Sequence, residues 1–126
     1  MTVKEQIHTD EAFSSSSPYS QAIRYGDTLY VAGQVPVDAD GNIVGDDITE
    51  QTEQVFRNMR AILDAAGTSL ENALTTTVFL TDIDDFEAFN EVYRELMPEP
   101  RPARSAVEVS DLAIDVLVEV EVTAAV

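Results

Sequence analysis

Cysteine is absent from this chain, and lysine and histidine each occur once. Without cysteine there can be no disulfide, no thiolate nucleophile and no cysteine-ligated metal. The one histidine, His8, has no carboxylate or cysteine at ligand spacing and reads as a surface residue. No HExxH, glycine-rich phosphate loop or Ser-His-Asp set occurs, so neither a metal nor an organic cofactor is expected. Long apolar runs are missing too, and the opening MTVKEQIHTD lacks the apolar centre of a signal peptide. A cytoplasmic protein with no membrane contact is the expectation. Positive charge is scarce: Lys4 and six arginines stand against 24 acidic residues, for a net charge of −17. Such a surface repels nucleic-acid phosphates and anionic lipid. Acid in excess and almost no lysine point to a halophilic protein ahead of the alternative, an acidic protein from ordinary salt. Concentrated salt would screen its self-repulsion, because the Debye length falls to about 3 Å at 1 M.

What is present describes a globular chain. Its 126 residues, 44% of them hydrophobic, suit a single domain spanning residues 1–126. FSSSSPYS, from Phe13 to Ser20, reads as a flexible polar lead-in. In QAIRYGDTLYVAG two β-rich runs flank Gly26-Asp27, and glycine in first place predicts a II′ hairpin. VPVDADGNIVGDD reads as a turn-rich connection. Asp47, with Glu50 three residues on, predicts a helix start, and Gly67 its stop. Between them Ile48, Val55, Met59, Ile62, Leu63 and Ala66 share one face. ALTTTVFLT, from Ala73 to Thr81, predicts a buried strand. A second helix should follow Asp82 or Asp84, turning Phe86, Phe89, Tyr93 and Leu96 or Met97 inward. The prolines at 98, 100 and 102 should end it and hold the next segment extended. Strands Arg104 to Val109 and Val116 to Ala124 close an α+β order of β-β-α-β-α-β-β. Two helices cover only one face of such a sheet, and further copies of the chain are the economical cover for the other.

Two stretches carry candidate chemistry. In VLVEVEV the alternation sets Val116, Val118, Val120 and Val122 on one face, with Glu119 and Glu121 together on the other. This fits either a wet sheet face or a general base, since a carboxylate in a partly dry cleft has a raised pKa and can hold a water. In RPARSAVEVS, Arg104 suits a surface ion pair or a carboxylate anchor, because a guanidinium offers paired donors. Arg101 reads as a surface ion pair. Composition alone leaves these alternatives open.

The stretches SPY at 17–19, VAGQVPVD at 31–38, ILDAAG at 62–67, TTTVFLTDIDDFEAFNEVY at 75–93 and PARSAVEVSDL at 102–112 occur in one order. Together they resemble the RidA (YjgF/YER057c/UK114) family of reactive intermediate deaminases, over nearly the whole chain. The resemblance implies a chorismate-mutase-like mixed sheet with two helices on one face. It implies a homotrimer with a site in each cleft between subunits. It further implies hydrolysis of 2-imino acids, such as 2-iminopropanoate and 2-iminobutanoate, to 2-keto acids and ammonia without a cofactor. By the same resemblance Arg104 grips the substrate carboxylate, and Glu119 positions or activates water. Tyr19 walls the pocket, Gly33 lies beside the ligand, Asn90 stands near the cleft, and Ala106 contributes through its backbone. Ala32 and Ala106 replace the family's usual serine and cysteine, and Ala113 replaces a common proline. Two other functions are in view. One is a non-catalytic binder of small carboxylates acting as a regulator, and the other is the endoribonuclease or translation inhibitor label that members often carry. The acidic surface opposes the latter.

Overall fold

The computed structural model describes residues 2–126. Strands β1 (Glu5–Ile7), β2 (Ala22–Tyr25) and β3 (Thr28–Gln34) lead into helix α1 (Ile48–Ala65). Then come β4 (Ala73–Leu80), α2 (Phe86–Leu96), β5 (Ala103–Glu108) and β6 (Val118–Ala125). The six strands form one mixed sheet in the order β1-β2-β3-β6-β4-β5. Only β4 and β5 pair in parallel, and the other neighbours are antiparallel. Strand β6 enters last, between β3 and β4, and runs antiparallel to both, so β3, β4 and β5 all point one way. The crossovers through α1 and α2 move in the same direction across the sheet. With one handedness for such connections, both helices fall on the same face.

Local chemistry accounts for the elements. Gly26, at φ 64°, begins the β2–β3 turn, and Tyr25 pairs with Thr28 across it, as the hairpin signal predicted. The Asp47 carboxylate accepts the Glu50 backbone N–H at 2.9 Å and starts α1. At the other end Gly67, at φ 81°, donates to Asp64, and Thr68 donates to Leu63, which satisfies two final carbonyls in a Schellman stop. Asp82 caps a 3₁₀ turn over Ile83–Asp85, and α2 grows directly from that turn. Val118, Val120 and Val122 of β6, Val78 and Leu80 of β4, and Leu29 and Val31 of β3 are buried under the helices. Val55, Met59, Ile62 and Leu63 of α1 and Phe89 and Tyr93 of α2 meet them there. The Phe56 and Tyr93 rings meet edge-on at 5.9 Å, joining the two helices.

Three expectations change. An additional edge strand, β1, forms where no element was read, through pairing of Glu5–Ile7 with Ala22–Arg24. Strand β4 is buried on one face only: Thr76, Val78 and Leu80 are covered, while Leu74 and Thr75 are exposed. The proline-rich link does not run straight, because it bends between Met97 and Pro100 and contains a cis Glu99–Pro100 peptide. The sheet face away from the helices carries Tyr30, Thr123, Thr77, Phe79, Glu119 and Val107, with Tyr30 and Val107 well exposed.

Candidate functional site

Position in the sheet decides where each candidate side chain can act. Glu119 stands opposite Phe79 on the open face. Beside it β3 has a bulge: Val31 pairs with Val122, but Gln34 pairs with Val120, which leaves Ala32 and Gly33 as the irregular step. The Glu119 carboxylate occupies the space beside Gly33, so a side chain there would collide with it. The carboxyl carbon of Glu119 lies only 2.7 Å from where a Cβ would stand. Burial raises the Glu119 pKa above its usual value, and the neighbouring Glu121 carboxylate raises it further. Tyr19, Gly33 and Glu119 share one cleft of about 410 Å³, which Phe13, Ser17 and Ile114 help to close. Gln21 holds the lead-in segment against this cleft. Its side-chain amide donates to the carbonyls of Thr9 and Phe13, and its side-chain oxygen accepts the Thr9 N–H.

Arg104 lies elsewhere. Its residue pairs in parallel with Thr76, whose hydroxyl is buried against Tyr93 Oη, so Arg104 faces the helices. There its guanidinium lies 4.8 Å from the Tyr93 ring centroid and 5.4 Å from that of Phe86. One terminal N–H donates to Asn90 Oδ1 at 2.8 Å. The aromatic faces and the amide fix the plane of the fork, and among the described residues its other donors have no partner, which suits them to an anion. Arg104 and Asn90 line a second pocket of about 280 Å³ together with Tyr93, Arg94 and Arg101. Arg101 makes the surface ion pair expected of it, with Glu99 at 3.2 Å. Ala106, paired with Val78, packs half-buried against the core and lines neither pocket.

Within one subunit the candidates therefore form two groups, Tyr19, Gly33 and Glu119 on the open face and Arg104 and Asn90 on the helix side. A third, larger cleft of about 570 Å³ runs between the C-terminal ends of α1 and α2. It holds none of these residues; Arg60, Asp64, Glu71 and Glu95 stand along it. Residues such as Phe13 and Ile114 escaped sequence reasoning because they reach the cleft from loops. The SPY motif was the one local signal for that wall.

The comparisons with known proteins settle the ancestry. Residues 9–126 match the family model described as Endoribonuclease L-PSP. The RutC family protein PH0854 of Pyrococcus horikoshii is 51% identical over 97% of this chain and 98% of its own length. This chain belongs to the RidA/YjgF family. Another family member, Reactive Intermediate Deaminase A of Arabidopsis thaliana chloroplasts, is 36% identical over 94% of this chain and 64% of the plant protein. Among solved RidA/YjgF structures, a Rid family protein of unknown function from Yersinia pestis superposes with a TM-score of 0.95 at 43% identity. That match covers 98% of this chain and all of the Yersinia chain. Escherichia coli TdcF with bound serine gives 0.92 at 35% identity, over 97% and 98% of the two chains.

Proposed function

We propose that this RidA/YjgF protein hydrolyses 2-imino acids to 2-keto acids and ammonia, in sites that two subunits build together. The observation carrying this reading is that Arg104 and Glu119 point to opposite faces of one sheet, each into its own half-cleft. A homotrimer that buries the open sheet face brings the Arg104 pocket of one subunit against the Glu119 cleft of the next. Arg104 then holds the substrate carboxylate, with Asn90 fixing its plane and Tyr19 forming a wall. Glu119 holds a water beside the imine carbon. A protonated imine is already electrophilic, so orientation and proton transfer are the main tasks. The water oxygen bonds to C2 as its proton passes to Glu119. That proton then moves to the nitrogen and the C–N bond breaks. Glu119 takes the proton of the new hydroxyl, which becomes the carbonyl, and passes it on to the departing ammonia, which leaves as ammonium. A carboxylate with a raised pKa suits these transfers. The deaminase name of the plant relative and the serine bound to TdcF support a small amino-acid-like substrate.

Amino-acid oxidase can generate 2-iminopropanoate in the presence of semicarbazide, which traps the imine. The protein should divert the imine from the trap, and Arg104→Ala should abolish the diversion. Equal trapping with and without protein would reject the reading. Ala32, in place of the family serine, favours a second reading, a regulator that binds small carboxylates without turnover. Binding of 2-oxobutanoate without imine loss would support it. Cytoplasmic work in concentrated salt belongs to the same proposal, and net charge disfavours the ribonuclease activity suggested by the family description.

A further inference from the structure

Three of the chain's six arginines, Arg94, Arg101 and Arg104, line the same 280 Å³ pocket, in a chain with 24 acidic residues. One guanidinium is enough to hold the single carboxylate of a simple 2-imino acid. The carboxylates that pair with Arg94 and Arg101, those of Glu91 and Glu99, are exposed and do not line the pocket, so the pocket itself presents guanidinium donors and no acid. We propose that this pocket selects substrates bearing a second carboxylate, with Arg101 and then Arg94 as the specificity-determining residues. The ligand class is the 2-imino acids of acidic amino acids, such as those made by oxidising aspartate or glutamate. This rests on Arg104 being the anchor for the first carboxylate.

The geometry assigns the order. Arg104 is fixed by Asn90 and by the rings of Phe86 and Tyr93, so the first carboxylate has a defined seat. Arg101 is held near it, with one terminal nitrogen donating to the Arg94 carbonyl at 3.2 Å and the other bonded to Glu99 at 3.2 Å. Its side chain is 40% exposed and that of Arg94 is 60% exposed, which places Arg94 farther toward the rim. Arg94 pairs with Glu91 at 3.0 Å. Exposed pairs of this kind contribute little, so Glu99 and Glu91 act as placeholders that a ligand carboxylate can displace. A planar fork that already faces a carboxylate needs little rearrangement to accept another.

Stable keto acids test this by calorimetry at one fixed ionic strength. The wild-type protein should bind 2-oxoglutarate about tenfold or more tightly than 2-oxobutanoate, a difference of about 1.4 kcal/mol. Arg101→Gln should reduce that preference to about twofold, and Arg94→Gln should reduce it less. Thermal unfolding of both variants checks that these exposed substitutions leave the fold intact. A wild type without the preference, or one whose preference survives Arg101→Gln, would overturn the proposal. The Proposed function would then still stand, provided 2-oxobutanoate binding required Arg104. If neither acid bound, or if Arg104→Gln bound both normally, both readings would fall.

Discussion

At the scale of single residues, the contact between Gly33 and Glu119 ties the position of the candidate base to a missing side chain. Gly33 serves here for close approach, since a Cβ at that point would meet the carboxylate itself. Gly33→Ala should push Glu119 off its water site and lower kcat by about 100-fold, the order of loss that a displacement of about 1 Å causes. Circular dichroism should stay unchanged, which separates a lost site from a lost fold. Glu121 gives a second handle. Burial is the larger cause of the raised Glu119 pKa, and the Glu121 carboxylate adds to it. Removing a like charge favours ionisation of its neighbour and lowers that pKa. If Glu119 must be ionised to take a proton from water, activity is lost as pH falls through its pKa. Glu121→Gln should therefore move the acid limb of the rate profile to lower pH, and a pH–rate series on the variant reads this directly. An unmoved or upward-shifted limb would remove Glu119 from the role of base.

Elements show where polar groups buried in the fold support the site. Asn58 on α1 donates to the carbonyls of Val35 at 3.0 Å and Val37 at 2.8 Å, tying the long β3–α1 connection to the helix. Asn58→Leu keeps the bulk but leaves the Val37 carbonyl without its donor and the Gln54 amide without the Asn58 acceptor, while the Val35 carbonyl keeps the Val37 N–H. It should cost about 2 kcal/mol in denaturant unfolding. Much of this level was legible in the sequence. The Gly26-Asp27 turn, the Asp47 cap, the Gly67 stop and the valine alternation of β6 are all encoded by neighbours in the chain. What escaped depends on distant partners. Strand β1 is three residues, EQI, with no strong preference of its own, and β2 makes it a strand. Buried Asn58 and Gln21 sit among apolar neighbours that mask them, because their partners are backbone carbonyls elsewhere in the fold. The separation of Arg104 from Glu119 was equally hidden. The face of Arg104 follows from its register with Thr76, and no local pattern records a parallel register.

At the scale of the whole molecule, the proposed assembly covers an open sheet face in a chain whose net charge is −17. The two properties oppose each other, since burying Tyr30, Phe79 and Val107 between copies brings like-charged subunits together. Salt relieves the repulsion without weakening the apolar contact. Raising KCl from about 0.2 to about 3 M should therefore raise Tm, and the mass in solution should approach three chains of 13.8 kDa each. A Tm that falls or stays level would contradict adaptation to salt. The proposed shared site has a sharper consequence, because in that reading each active centre needs Arg104 from one copy and Glu119 from its neighbour. Arg104→Ala and Glu119→Gln chains should each be inactive alone. Co-expressed in equal amounts, they should recover about a quarter of wild-type activity, since each ring position has about one chance in four of two intact partners. Sites contained within single subunits would recover nothing, because every chain would lack one of the two residues. Complementation thus separates assembly as a means of covering apolar surface from assembly as a condition of catalysis.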